Sequence, residues 1–247
     1  MSGGTASRTP APMRHPVRVT DRSSLPPVRA LLFDFDGTML ETESPSYGSW
    51  RELLAEHDYE LTPETWSAAV GTLGGLDPVQ LLEEHLGAPV DGEALRSRQA
   101  ARHRELLTEE TLRPGIQRIV DEARARGLEL AIVTSASRRW VDEHLRRLRL
   151  DADWQHVIAA DGVPARAKPA PLLYLEALER LGLSAEEAVA VEDSPNGVTA
   201  AKAARLTVIA FPNPITETMD LGHADALVRD LDGLGLDGLL ATIGRRA

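Results

Sequence analysis

Short apolar runs alternate with amphipathic helical patterns through most of this chain. Residues 30–35, 128–134, 188–191 and 206–211 are strand-length and rich in Leu, Val, Ile, Phe and Ala. Between and after them, residues 116–126, 138–148, 172–181 and 198–204 carry apolar residues at helical spacing, with Gly127 and Gly182 placed to end two of these helices. Strand runs that are apolar throughout, rather than alternating, belong to strands covered on both faces. The pattern therefore predicts an α/β fold: a Rossmann-like parallel sheet with helices on both faces.

One stretch breaks the rhythm. From Pro45 to about Glu110 the chain reads as helix after helix with no strand. Trp50, Leu53, Leu54 and His57 share one face, as do Leu81, Leu82 and Leu86. Thr62 with Pro63, and Asp77 with Pro78, read as helix starts with Pro in the first turn. The expected organisation is an α/β core of residues 29–44 and 111–247, interrupted by a helical cap of residues 45–110. Residues 1–28 stand apart: Arg8, Arg14, Arg18 and Arg22 face Asp21 alone, among many Ser, Thr and Pro. A segment so poor in apolar surface is expected to be a disordered basic tail.

Composition narrows the chemistry. The 247 residues include 27 Lys and Arg against 38 Asp and Glu, a net charge of −11, and aromatic residues make up only 4%. An acidic surface with few stacking platforms argues against nucleic-acid partners. No apolar run approaches the ~20 residues of a membrane span, so no membrane partner is expected. The absence of Cys excludes thiolate nucleophiles and cysteine metal sites, and fits a cytoplasmic protein. Chemistry is left to oxygen, nitrogen or a hard metal.

In open α/β sheets, ligands bind at the carboxyl ends of the strands. Those ends carry Asp34 and Asp36, then Thr134 and Ser135, then Glu192 and Asp193, with Lys168 in the loop before the helix at 172–181. Asp34 and Asp36 are two apart on an extended chain and so point the same way. Two neighbouring carboxylates need a cation or a shared proton. Four acids make an all-oxygen site suited to Mg²⁺ rather than zinc. Gly37 suits a sharp turn beside such a site, and Ser137 and Ser194 read as helix N-caps. Asn196 and Gly197 open the helix after Ser194 and read as structural.

With these residues in view, the segment from Leu31 to Leu40, containing Asp34, Phe35, Asp36, Gly37 and Thr38, resembles the first motif of the haloacid dehalogenase superfamily of phosphohydrolases. Ser135, Lys168 (followed by Pro169) and the pair Glu192–Asp193 follow in the order of the remaining motifs. A helical insert after the first motif resembles the cap of the subgroup containing β-phosphoglucomutase. The resemblance implies Asp34 as the nucleophile that forms an aspartyl-phosphate, and Asp36 as general acid and then base. It implies Mg²⁺ held by Asp34, the Asp36 carbonyl and Asp193, with Glu192 as a ligand or just behind. Ser135 and Lys168 would bind the phosphoryl oxygens. The implied activity is Mg²⁺-dependent hydrolysis of a small-molecule phosphate ester such as a sugar phosphate, by a protein able to work as a monomer.

Two alternatives stand beside it. A β-phosphoglucomutase-like phosphomutase would share the core site. By alignment on Trp50, however, Ser46 falls where that subgroup's cap His stands, and residues 69–78 offer no Arg, with Arg51 as a possible substitute. A non-catalytic phospho-accepting module would use similar acids but is about half this size and lacks the insert. The arginines of residues 138–149 read as the solvated side of a helix whose apolar face is Trp140, Val141, Leu145 and Leu148. The seven His residues show no ligand spacing, and His144 and His156 read as surface or boundary positions. Gly71, Gly74 and Gly75 read as a turn in the cap, open to contact with substrate.

Overall fold

The computed structural model describes residues 26–67, 70, 75–150, 154 and 156–247. Most of the expected tail, Gly71 and Gly74 therefore lie outside the described residues. Six strands form one wholly parallel sheet: β1 (Ala30–Phe33), β2 (Glu129–Thr134), β3 (His156–Ala159), β4 (Ala188–Glu192), β5 (Thr207–Ala210) and β6 (Ala226–Leu227), in the spatial order β3-β2-β1-β4-β5-β6. The expected α/β architecture is present. The additions are β3, β6 and the last helix, elements too short for periodicity to announce.

Side chains alternate across this sheet. Leu31, Phe33, Leu130, Ile132, Val189, Val191 and Ile209 face one side, packing on Ile119 and Val120 of α5 (Ile116–Ala125), Val141 and Leu145 of α6 (Arg138–Leu148) and Leu236, Leu239 and Leu240 of α9 (Gly235–Ala241). The opposite face is built mainly from small residues, Ala30, Ala131, Ala188 and Ala190 among them. It receives Leu173, Tyr174 and Ala177 of α7 (Leu172–Leu181) and Val198, Ala200 and Ala201 of α8 (Pro195–Ala203). Burial on both faces explains why the strand runs are apolar throughout.

The segment between β1 and α5 is helical: α1 (Glu43–Ala55), α2 (Pro63–Trp66), α3 (Pro78–Leu86) and α4 (Gly92–Leu107). Thr62 and Asp77 cap α2 and α3 as expected, the Thr62 hydroxyl accepting from Thr65 N–H at 3.2 Å and the Asp77 carboxylate from Val79 N–H at 3.0 Å. The insert builds an apolar cluster around Trp50, Leu53, Leu54, Trp66, Leu82 and Leu95, which also takes in Ile215 of the core. Leu86, expected on the shared apolar face, is instead 44% exposed, because α3 ends there at Gly87, whose positive φ turns the chain away. The two connectors of the insert lie side by side: Leu40 and Leu112 form an antiparallel bridge, and Arg113 N–H donates to the Met39 carbonyl at 2.8 Å. Among the described residues, no helix is long and apolar enough to cross a membrane.

Candidate active site

The register of the three central strands decides what meets at their carboxyl ends. Phe33 is level with Ile132 on one side and with Val191 on the other, so Asp34, Thr134 and Glu192 emerge close together. Asp34 is buried, with its N–H on the Val191 carbonyl at 3.0 Å. Lys168, only 1% exposed, forms a short ion pair with Asp34 and a second with Glu192 Oε1 at 2.6 Å. Tyr174 hydroxyl donates to the same Glu192 oxygen at 2.5 Å. Asp193 accepts from Asn213 Nδ2 at 2.6 Å and, more weakly, from the Thr38 hydroxyl at 3.4 Å.

Three carboxylates are thus buried together, and one ammonium pairs with two of them. Burial works against the Lys168 charge, yet Asp34 and Glu192 hold its pKa above the ordinary value. Burial, with Asp34 adding repulsion, raises Asp193 well above its usual range. Glu192 rises to about 7, burial and Asp34 outweighing the pull of Lys168. Ligand oxygens of Asp34, Glu192 and Asp193 lie within 4.8 Å of one another, and Glu192 Oε2 is buried without a hydrogen-bond partner. An all-carboxylate donor set with uncompensated negative charge fits a hard divalent cation.

Two glycines make this packing possible. Gly37 has a φ of +80°, and a Cβ there would collide with Asp193 Oδ2. A Cβ at Gly197 would overlap Glu192 Oε2. The role of Gly197 is therefore larger than the helix opening expected of it: it leaves room for the Glu192 carboxylate. Asn196 likewise does more than open α8, its Nδ2 reaching the Val70 carbonyl of the insert at 3.0 Å. Ser194 and Ser137 are N-caps as expected.

Asp36 stands apart from the buried cluster. It is half-buried, and its Oδ1 accepts from Trp140 Nε1 at 2.8 Å. Burial and the Asp34 charge push its pKa up to about 6 against the opposing effect of the Trp140 hydrogen bond. A pocket of about 360 Å³ opens over it, lined by Thr42, Glu43, Ser46, His103, Ala136, Ser137 and Trp140. Glu43 is pushed up to about 8, by burial first and then by Asp36, Glu41 and Asp34. Ser135 uses its hydroxyl oxygen to accept the Lys168 backbone N–H at 3.1 Å, which ties the third strand end to the lysine loop.

Several site residues carried no sequence signal. Asn213, Tyr174, Glu43 and His103 sit in segments that read as turn, core or cap. Arg113, near the start of the resumed core, carried none either. Its guanidinium lies 3.6 Å from the Phe211 ring centroid and donates to the carbonyls of Gly37, Phe211 and Pro212. His144 overturns its expected surface position: it is 6% exposed, with its ring against Trp140 and Phe35, because the α6 apolar face is wider than the Leu and Val residues alone define. Arg51 lies over the Tyr47 ring at 5.6 Å on the outside of the insert and does not line the pocket.

A parallel sheet with carboxylates and one lysine at its central strand ends, covered by a helical insert, is the architecture of a phosphohydrolase of the haloacid dehalogenase type. A family model described as haloacid dehalogenase-like hydrolase matches residues 28–205, and the chain belongs to that family, in its β-phosphoglucomutase-like subgroup. It is 35% identical over 213 residues to Protein CbbY of Rhodobacter capsulatus, covering 83% of this chain and 94% of that one. It is 29% identical to the "Phosphorylated carbohydrates phosphatase" of Thermotoga maritima, covering 72% and 82%. Among solved structures, it matches a mutant of CbbY from Rhodobacter sphaeroides in complex with xylulose-(1,5)bisphosphate, with a TM-score of 0.70 and 32% identity, covering 86% of this chain and 99% of the other. The chain is a phosphatase, a phosphoric monoester hydrolase.

Proposed function

We propose that this phosphatase hydrolyses a sugar phosphate or a related small phosphate monoester through an aspartyl-phosphate on Asp34, with Mg²⁺ as cofactor. The observation that carries this reading is the pairing of Asp34 with Lys168 at the strand ends while a second acid, Asp36, stands separately on the pocket. Nucleophile and proton carrier need such different surroundings.

A carboxylate oxygen of Asp34 forms a bond to phosphorus as the ester P–O bond breaks. Asp36 gives its proton to the departing alkoxide. It then takes a proton from the water that attacks the phosphorus of the acyl phosphate, releasing inorganic phosphate and restoring the Asp34 carboxylate. Lys168 orients Asp34 and supplies positive charge to the phosphoryl oxygens, and Ser135 holds the lysine loop while its hydroxyl hydrogen remains available to the same oxygens. Asp34, the Asp36 carbonyl and Asp193 would hold Mg²⁺, which when bound supplies the charge that lets two anions approach. Glu192 engages Lys168 and Tyr174 through Oε1, and with its unpartnered Oε2 it would stand as a ligand or just behind.

Residues 45–110 act in this reading as the cap that chooses the leaving group over a core of 29–44 and 111–247, in a cytoplasmic protein that works as a monomer. The sugar-phosphate class is supported by the CbbY complex and the Thermotoga relative. Hydrolysis rather than phosphoryl transfer between sugar positions is favoured by Ser46, a residue in the pocket wall with no imidazole. A panel of phosphate esters assayed for released phosphate, with Asp34→Asn as control, tests the proposal. Release from at least one sugar phosphate, lost in the variant, is expected. Interconversion of hexose 1- and 6-phosphates faster than release would establish the mutase instead, and full turnover by Asp34→Asn would reject the nucleophile.

A further inference from the structure

Asp36 is gripped by a residue from outside the strand ends. Its Oδ1 takes the indole N–H of Trp140, in the first turn of α6, at 2.8 Å. That indole is itself held from two sides. The His103 ring, from α4 of the insert, stacks on it at 5.8 Å between centroids and 24° between planes. His144, one turn further along α6, meets it edge-on at 4.2 Å and reaches Phe35, the residue between the two aspartates, at 6.3 Å. His103, Trp140 and Asp36 all line the same pocket.

A carboxylate that must hand a proton to a leaving oxygen has to be aimed, and small misplacements of a reacting group cost large factors in rate. Asp36 sits on the turn next to Gly37, where the indole N–H fixes one carboxylate oxygen. The plane of that indole is set partly by α6 and partly by a ring belonging to the insert. One stacked pair thus joins the insert to the side chain that holds the acid.

We propose that Trp140 is a positioning residue for Asp36, and that His103 couples this positioning to the seating of the cap on the core. The inference rests on the phosphatase reading, in which Asp36 protonates the leaving alkoxide. An alkyl leaving group needs that proton, whereas a p-nitrophenolate leaves readily without it.

The test compares kcat/KM, which reports steps through departure of the alcohol, for p-nitrophenyl phosphate and for the sugar phosphate turned over fastest by the wild-type enzyme. In Trp140→Phe, which keeps a ring but removes the N–H, the sugar phosphate should lose about 10–100-fold and p-nitrophenyl phosphate less than about 3-fold, a part of the ~10²–10⁴-fold that general acid catalysis as a whole supplies. His103→Ala should show the same selective loss to a smaller extent, and His103→Phe, which restores a ring on the indole, should recover it. A general disturbance of the fold would lower both substrates together, so equal losses in Trp140→Phe would overturn the positioning role. Selective loss in Trp140→Phe with none in His103→Ala would overturn the coupling to the cap. Wild-type enzyme releasing no phosphate from any ester would overturn the phosphatase reading, and this inference with it.

Discussion

Asn213 holds Asp193 with its amide nitrogen at 2.6 Å while its amide oxygen accepts the N–H groups of Ile215 and Thr216 at 2.8 and 3.0 Å. The side chain is thereby locked by the loop after β5, and it fixes one oxygen of a carboxylate proposed to hold the cation. Groups that orient ligands in this way are worth about 10–100-fold in metal affinity or activity. Asn213→Asp keeps the backbone contacts but sets a second acid against Asp193. The expected result is a kcat/KM lower by about 10–100-fold and a higher Mg²⁺ concentration for half-maximal rate; an unchanged Mg²⁺ requirement would count against the assignment of Asp193.

Gly197 predicts a stability effect at the centre of the site. A methyl group there would overlap the Glu192 carboxylate, which is fully buried and cannot retreat into solvent. Gly197→Ala should destabilise the protein by about 1–3 kcal/mol, the range for overpacking, despite the better helix propensity of Ala. Urea denaturation measures this, and a variant as stable as the parent would show that Glu192 can move aside.

Glu43 gives a pH dependence of definite sign. Its pKa rises from the ordinary value of 4.5 to about 8 in the folded chain, so the unfolded chain releases this proton first. Stability attributable to Glu43 is therefore constant below about pH 4.5, declines as pH rises from there through about 8, and is fully lost above. Glu43→Gln removes the penalty. In EDTA the variant should melt about 2–8 °C above the parent at about pH 8.5 and close to it at about pH 4.5. Equal melting temperatures at both values would place Glu43 in a more solvated setting.

The crowded carboxylates predict stabilisation by cation. Mg²⁺ at about a hundred times its Kd should add about 2.7 kcal/mol by mass action, or about 5–10 °C in Tm for a chain of this size. Asp193→Asn should lose most of that increment. Calorimetry with and without EDTA decides the point: a wild-type Tm indifferent to Mg²⁺ would refute the proposed cation site.

The acids were legible in the sequence because a parallel sheet repeats a simple rule. Each apolar run ends at the same edge of the sheet, and Asp34, Glu192 and Asp193 stand at such ends. Lys168 could be paired with them only through motif order, since the four-residue β3 before it and its buried path to Asp34 leave no periodic trace. Trp140 shows the limit most clearly. At helical spacing it belongs to an apolar face, and it does pack there, but its N–H is a directional group whose target lies 104 residues away. Asn213 and Arg113 act through loop carbonyls and amides, where neither spacing nor composition indicates a partner. Periodicity locates faces; it is silent on which polar atom on a face finds which acid.

The bridge between Leu40 and Leu112 has a consequence for how such a chain can change over time. Because the insert leaves and rejoins the core through neighbouring strands of backbone, its length and internal design are decoupled from the sheet, whose six strands need not shift to accommodate it. Recruitment of a new substrate can proceed by rebuilding one module between two adjacent anchor points, so long as the rebuilt module keeps its contacts with the site beneath, His103 on Trp140 and Val70 with Asn196.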